Sequence, residues 1–279
     1  MSALQAACAA IVALYVAVRM ARAPDPTRVA ARLALLVAAS WIGEDSVIRA
    51  YGFYHYDRSW ALFVDRVPLA IIVIWPVVID SAWQLARCLV ANVRLQPLVA
   101  AAFVLADASL IEPIAVRAGL WRWTEPGLFA VPPIGILGWA LFAAACVALI
   151  EHAGVATLLL APLATHALLL ACWWGGLRWV NGDVAPWLAA ATAWAVLAPI
   201  GAYIFWSGLR RRVPTIELLV RVPGALFFFV LLASYGRDQT ALVTWSFAFA
   251  PPYLALLSIG AQSDVKAVGH VNVRPSNPL

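Results

Sequence analysis

Two glutamates head the same pattern of residues. Glu44 opens a stretch reading E-x4-R-A-x-G-F-Y-H-Y, and Glu112 opens one reading E-x4-R-A-G-L-W-R-W. Each runs on to a Val-Pro followed seven residues later by a Trp, so that Glu44/Glu112, Arg49/Arg117, Gly52/Gly119, Tyr54/Trp121, Tyr56/Trp123, Pro68/Pro132 and Trp75/Trp139 correspond. So many shared identities and spacings point to a duplication around a common site. The residue types say what that site would handle. A carboxyl group in an apolar pocket is held protonated by desolvation and can give its proton to an alkene. Aromatic faces stabilise the resulting cation, by about 2 kcal/mol or more when water is excluded. Capture of that cation by water gives a hydratase, and attack by a second double bond gives a cyclase.

Other acids join the candidate list. Asp107 lies inside an apolar stretch, five residues before Glu112, where an ionisable group marks a site, a relay or a buried pair. About 140° separates the two around an ideal helix, so one cavity holds both only if the helix distorts, and Pro113 is expected to bend or end it. Asp45 adjoins Glu44, and one of the two is expected to face the bundle. Asp107, Glu112, Glu44 and Asp45 are thus the catalytic candidates. Tyr54, Tyr56, Trp75, Trp121, Trp123 and Trp139 are the candidate walls of a substrate site. Asp80 reads as a hydrogen-bonding residue between helices. The other tryptophans among the 14, including Trp60, Trp83, Trp173, Trp174, Trp179, Trp187 and Trp206, read mostly as interfacial anchors. His166 reads as a packing or hydrogen-bonding residue. No Gly-rich phosphate loop, paired Cys motif or metal-spaced His cluster is present, so neither a cofactor nor a metal is expected. Cys8, Cys88, Cys146 and Cys172 suggest no disulfide.

The elements that hold these residues must cross a membrane. Of 279 residues 64% are hydrophobic and 12% charged, with mean hydropathy +0.87, which excludes a soluble domain with a polar surface. Apolar runs long enough for a hydrocarbon core of about 30 Å fall near 3–20, 29–43, 67–84, 95–111, 134–151, 154–174, 185–206, 215–235 and 241–260. The expected fold is an all-α polytopic bundle of about nine spans. It would form a single membrane domain over residues 1–260, with repeat units near 29–84 and 95–151 and a polar tail over 261–279. Arg19, Arg22, Arg28, Arg32, Arg87, Arg94 and Arg210 to Arg212 fall in alternate connections, while Glu44, Asp45, Asp57, Asp65, Glu112, Glu125, Asp183 and Asp238 fall in the others. The basic residues mark the cytoplasmic side, which puts the N-terminus outside, the C-terminus inside and both glutamates at the outer face. The net charge of +5 is dispersed through short loops, so membrane lipid rather than nucleic acid is the expected neighbour.

The string from Asp107 through Glu112-Pro113, Gly119-Leu-Trp121-Arg-Trp123, Val131-Pro132 and Gly138-Trp139 resembles the integral-membrane carotenoid biosynthesis family of the bisanhydrobacterioruberin hydratase, or carotenoid 1,2-hydratase, type. The first copy, from Glu44 through Trp75, looks like the same family, and the duplicated unit is distantly like membrane lycopene cyclases. The resemblance covers roughly residues 29–150. It implies hydration of the terminal C1,C2 double bond of a linear carotenoid end group, without a cofactor, in a prokaryotic cytoplasmic membrane. A terpenoid cyclase is the alternative, and a proton-coupled lipid or small-molecule carrier is the alternative of another kind. Gly135 stands where the resemblance leads one to expect an Asn.

Overall fold

A computed structural model describes residues 2–179 and 184–257; the polar tail and Asp183 lie outside the described residues. Helix meets each of the nine expected segments. They are α1 (Ser2–Arg22), α2 (Pro26–Tyr51), α3 (Leu69–Leu89), α4 (Gln96–Arg117), α5 (Pro133–Ala153), α6 (Thr157–Gly175) and α7 (Pro186–Ser207), then the pairs α8 (Thr215–Leu219) with α9 (Val222–Leu231), and α10 (Thr240–Phe247) with α11 (Ala250–Leu257). Among the described residues, seven stretches are long and apolar enough to span a bilayer. One of them, Pro133–Gly175, is 43 residues long and contains both α5 and α6, which fold back and pack side by side. Helix α2 is not among the seven, because Arg28, Arg32, Glu44, Asp45 and Arg49 interrupt its apolar character. The protein is an integral membrane helix bundle.

Local signals set the ends of the repeated helices. Asp25 caps α2 by accepting the Arg28 N–H at 3.0 Å, with Pro26 in the first turn, where a missing N–H costs nothing. The helices α2 and α4 both end at a glycine in the left-handed region, Gly52 at φ 60° and Gly119 at φ 74°. That conformation strains any residue with a Cβ, which explains why both copies carry Gly there. Each chain then enters a three-residue strand, β1 (Tyr54–Tyr56) or its equivalent β4 (Trp121–Trp123). Each Val-Pro follows a tight turn with φ near +55°, at Asp65 or Phe129, and Pro68 and Pro132 cap α3 and α5. In the first copy that turn joins β2 (Phe63–Val64) to β3 (Val67–Pro68).

Of the two outcomes expected of Pro113, an end or a bend, the end does not occur there: α4 continues to Arg117. A proline at position 113 deprives the Ser109 carbonyl of its helical donor. The Trp245 indole, arriving from α10, supplies the missing hydrogen bond at 2.8 Å.

The opposite end of α3 holds a separate polar cluster. Asp80 is fully buried and accepts from Tyr15 (2.7 Å), Arg19 (3.1 Å) and Gln84 (3.3 Å), and pairs with Arg32 (2.9 Å). It ties α1 and α2 to α3, as its reading as a hydrogen-bonding residue anticipated.

Candidate functional site

The two strands that follow α2 and α4 pair with each other. Tyr54 lies opposite Trp123, His55 opposite Arg122 and Tyr56 opposite Trp121, in antiparallel register. Successive side chains on a strand point to opposite faces. Tyr54, Tyr56, Trp121 and Trp123 therefore face the bundle, while His55 and Arg122 are exposed. This ribbon joins the copies across a pseudo-twofold axis. It is reinforced by Trp60 donating its indole N–H to Leu120 O (3.0 Å), and Thr124 N–H to Phe53 O (2.8 Å).

Each glutamate is gripped by the three rings of its own copy. Glu44 accepts from the Tyr54 hydroxyl, the Tyr56 hydroxyl (2.8 Å) and the Trp75 indole (2.8 Å). Glu112, 1% exposed, accepts from the indoles of Trp121 (2.8 Å), Trp123 (2.8 Å) and Trp139 (2.7 Å). Trp75 and Trp139 meet at the axis, with ring centroids 4.4 Å apart. Tyr54 packs on Trp123 at 4.7 Å and Tyr56 on Trp121 at 5.9 Å. Both carboxyl groups and all six rings line one apolar cavity of about 110 Å³. Burial, followed by the adjacent Glu44, pushes the Tyr54 and Tyr56 hydroxyls well above the usual phenol range, so they remain O–H donors.

The copies are alike in plan and unequal in detail. Gly135 lets the Trp123 ring approach so closely that a Cβ there would lie 2.6 Å from Cζ2. Its counterpart in the first copy is Ile71, where the smaller Tyr56 replaces the Trp. Likewise Gly43 abuts Phe142 (3.1 Å from its would-be Cβ), and the counterparts of these two are Ile111 and Val78.

Two acids named from the sequence stand elsewhere. Asp107 does not share the glutamate cavity: its carboxylate pairs with Arg221 and accepts the Tyr253 hydroxyl at 2.7 Å. Helix α4 stays helical between residues 107 and 112, so the angular separation holds and the two carboxyl groups diverge. Asp45 turns to Arg49 (2.6 Å), which also pairs with Asp65. Arg117, the second copy's equivalent of Arg49, pairs with Asp238 (2.7 Å). Neither arginine therefore neutralises the cavity glutamates. Trp174, Trp179, Trp187 and Trp206 are exposed as anchors should be, whereas Trp60, Trp83 and Trp173 are buried, and Trp60 lines the cavity.

His166, expected to pack or to hydrogen-bond, does the latter on the cavity wall. His166 lines the cavity, with Nε2 2.8 Å from Ser46 Oγ and Nδ1 2.7 Å from the Tyr51 hydroxyl. Ser46 donates to Gly43 O, so its oxygen accepts from Nε2–H, and Tyr51 donates to Nδ1. A signal for this patch was present in the sequence. Tyr51 is the extra residue that separates R-A-x-G from R-A-G, so the second copy has nothing equivalent.

No curated protein and no solved structure matches this chain. The family described as carotenoid biosynthesis protein matches residues 3–197, a stretch that includes both glutamates, all six rings and His166. The chain belongs to the carotenoid biosynthesis protein family.

Proposed function

We propose that this carotenoid biosynthesis protein adds water to the terminal C1,C2 double bond of an acyclic carotenoid end group. The observation that carries the reading is the pairing of a buried carboxyl group, Glu112, with a half-buried one, Glu44, each held by three N–H or O–H donors, in one ring-walled apolar cavity. A proton passes to C2 of the alkene and leaves a tertiary cation at C1. Water adds its oxygen to C1 and releases a proton, so the chain gains one water in all. No redox partner enters the balance.

The two carboxyl groups differ in what surrounds them. A phenol oxygen can accept the O–H of a protonated Glu44 as well as donate to it, whereas the indole N–H groups around Glu112 only donate and so suit a carboxylate. This difference supports Glu44 with Tyr54 and Tyr56 as the proton-delivering side, and Glu112 as the fixed counter-charge beneath the cation. Trp75, Trp121, Trp123 and Trp139 supply the π-faces. His166, held by Ser46 and Tyr51, puts a polar side chain on a wall that is otherwise mostly apolar, which supports water capture over cyclisation. The charge bias of the loops supports an N-outside orientation, with the cavity in the outer leaflet.

Expression in a lycopene-producing host, followed by pigment mass analysis, tests the reading. The intact protein should yield pigment heavier by one water, and Glu44→Gln should lower that yield by about 10²-fold or more, the usual scale of lost acid catalysis. Product of unchanged mass but altered chromophore would favour the cyclase. Full hydration by both Glu44→Gln and Glu112→Gln would sink the carboxyl assignment.

A further inference from the structure

The glutamate cavity is too small for a whole substrate. At about 110 Å³ it falls below the roughly 300–1,000 Å³ of ordinary ligand sites. A second cavity of about 290 Å³ adjoins it, and Ile74, Val78, Ile111, Phe227 and Phe228 line both. Only with that second space does the volume reach the range of a ligand site. We infer that the second cavity binds the unreacted length of the same acyclic isoprenoid chain, which enters the glutamate cavity by its end group; this rests on the function proposed above.

The position of the second cavity along the helices agrees. Asp107, on its wall, lies five residues before Glu112 on α4, or about 7.5 Å along the axis at 1.5 Å per residue. Ser81 lies six residues beyond Trp75 on α3, about 9 Å in the same direction. A chain whose end sits between the glutamates would therefore continue past Ile74, Val78 and Ile111 towards the bundle's middle. Most of the lining is apolar, which suits a hydrocarbon, and the polar side chains of Ser81, Asp107, Arg221 and Tyr253 on its wall are bonded to one another.

The structure also holds this space open. Between α8 and α9 the helix breaks at Val220 and Arg221, and such interruptions in membrane segments occur where the backbone lines a cavity or is buried in protein. Arg221 at the break reaches Ser81 on α3, Asp107 on α4 and Tyr253 on α11. Four elements are thus pinned around one void by polar groups that satisfy one another. Asp107 acts here as a positioning residue for the chain.

Gly224 offers a direct test, because it lines the second cavity and a Cβ added there meets nothing within 4 Å. Gly224→Phe, and independently Ala106→Phe from the facing wall of α4, should fill the void without displacing the backbone. The full-length protein in nanodiscs is assayed for equilibrium binding of two tritiated acyclic olefins, lycopene and 2-methyl-2-butene, the five-carbon end group alone. Both variants should bind lycopene at least tenfold more weakly than the unmodified protein while holding 2-methyl-2-butene within twofold. Lycopene binding that is unchanged in both variants, or absent from the unmodified protein, overturns the inference. Length-selective binding without hydration would refute only the catalytic reading, and hydration of lycopene undiminished in both variants would refute only this one.

Discussion

At the residue scale, the cavity depends on matched sizes as much as on charge. Gly135 and Trp123 are a small–large pair where the first copy has Ile71 and Tyr56. Gly135→Ala is expected to destabilise by about 1–3 kcal/mol, the usual cost of overpacking. Trp123→Tyr in the same chain should recover most of that loss, as read from thermal unfolding in detergent; no recovery would mean the clash lies elsewhere. The Asn expected at position 135 has no room beneath this ring. The duplicated glutamates and rings could be read from the sequence because identity and spacing recur together. The partner of Asp107 could not: Arg221 is 114 residues away, and nothing local announces a contact made across the bundle. His166 was legible only in part, since a lone histidine in an apolar run gives no direction, although the inserted Tyr51 that contacts it was in plain view.

At the element scale, the strands and the proline-bearing helix carry separable predictions. His55 and Arg122 are direct cross-strand partners with exposed side chains. Cross-strand Cα atoms lie about 4.5–5.5 Å apart, inside the range a disulfide spans. In a background lacking the native cysteines, His55→Cys with Arg122→Cys should therefore cross-link on oxidation. A protease site inserted between residues 90 and 95 then leaves one band on a non-reducing gel and two after reduction; two bands in both lanes would refute the register. Helix α4 gives the second case. Trp245→Phe strips the Ser109 carbonyl of its donor and should cost about 1–3 kcal/mol, as an unsatisfied buried polar group does. Pro113→Ala restores an N–H at the helical position and should reduce that cost in the double variant. Proline was read from the sequence as a stop or a bend because a single chain segment does not reveal a donor arriving from another helix. The hydrophobic spans were legible because their lengths match the bilayer, and α2 was legible despite its charges because its neighbours alternated.

At the scale of the whole molecule, the bundle divides into a polar anchor around Asp80 and a cavity end beneath the ribbon. The proposed N-outside orientation makes a simple prediction. Single cysteines at His55 and at Arg122 should both react with an impermeant maleimide added to intact cells, and a cysteine at Arg94 should not. Labelling of Arg94→Cys alone would invert the orientation. Charge asymmetry between loops is the sequence feature behind that expectation, whereas the boundary between two adjoining cavities depends on side-chain packing that no linear pattern encodes.

Every bond that holds a glutamate lies within one copy, and every bond of the ribbon lies between copies. Contacts of that second kind are self-complementary under a twofold rotation. A single ancestral unit would thus have closed the same chamber as a homodimer, with two identical acids that no mutation could tell apart. In one chain each acid stands free of that symmetry and has its own neighbours, two phenols and an indole around Glu44 and three indoles around Glu112. A single chain thus lets two corresponding carboxyl groups differ in a heritable way.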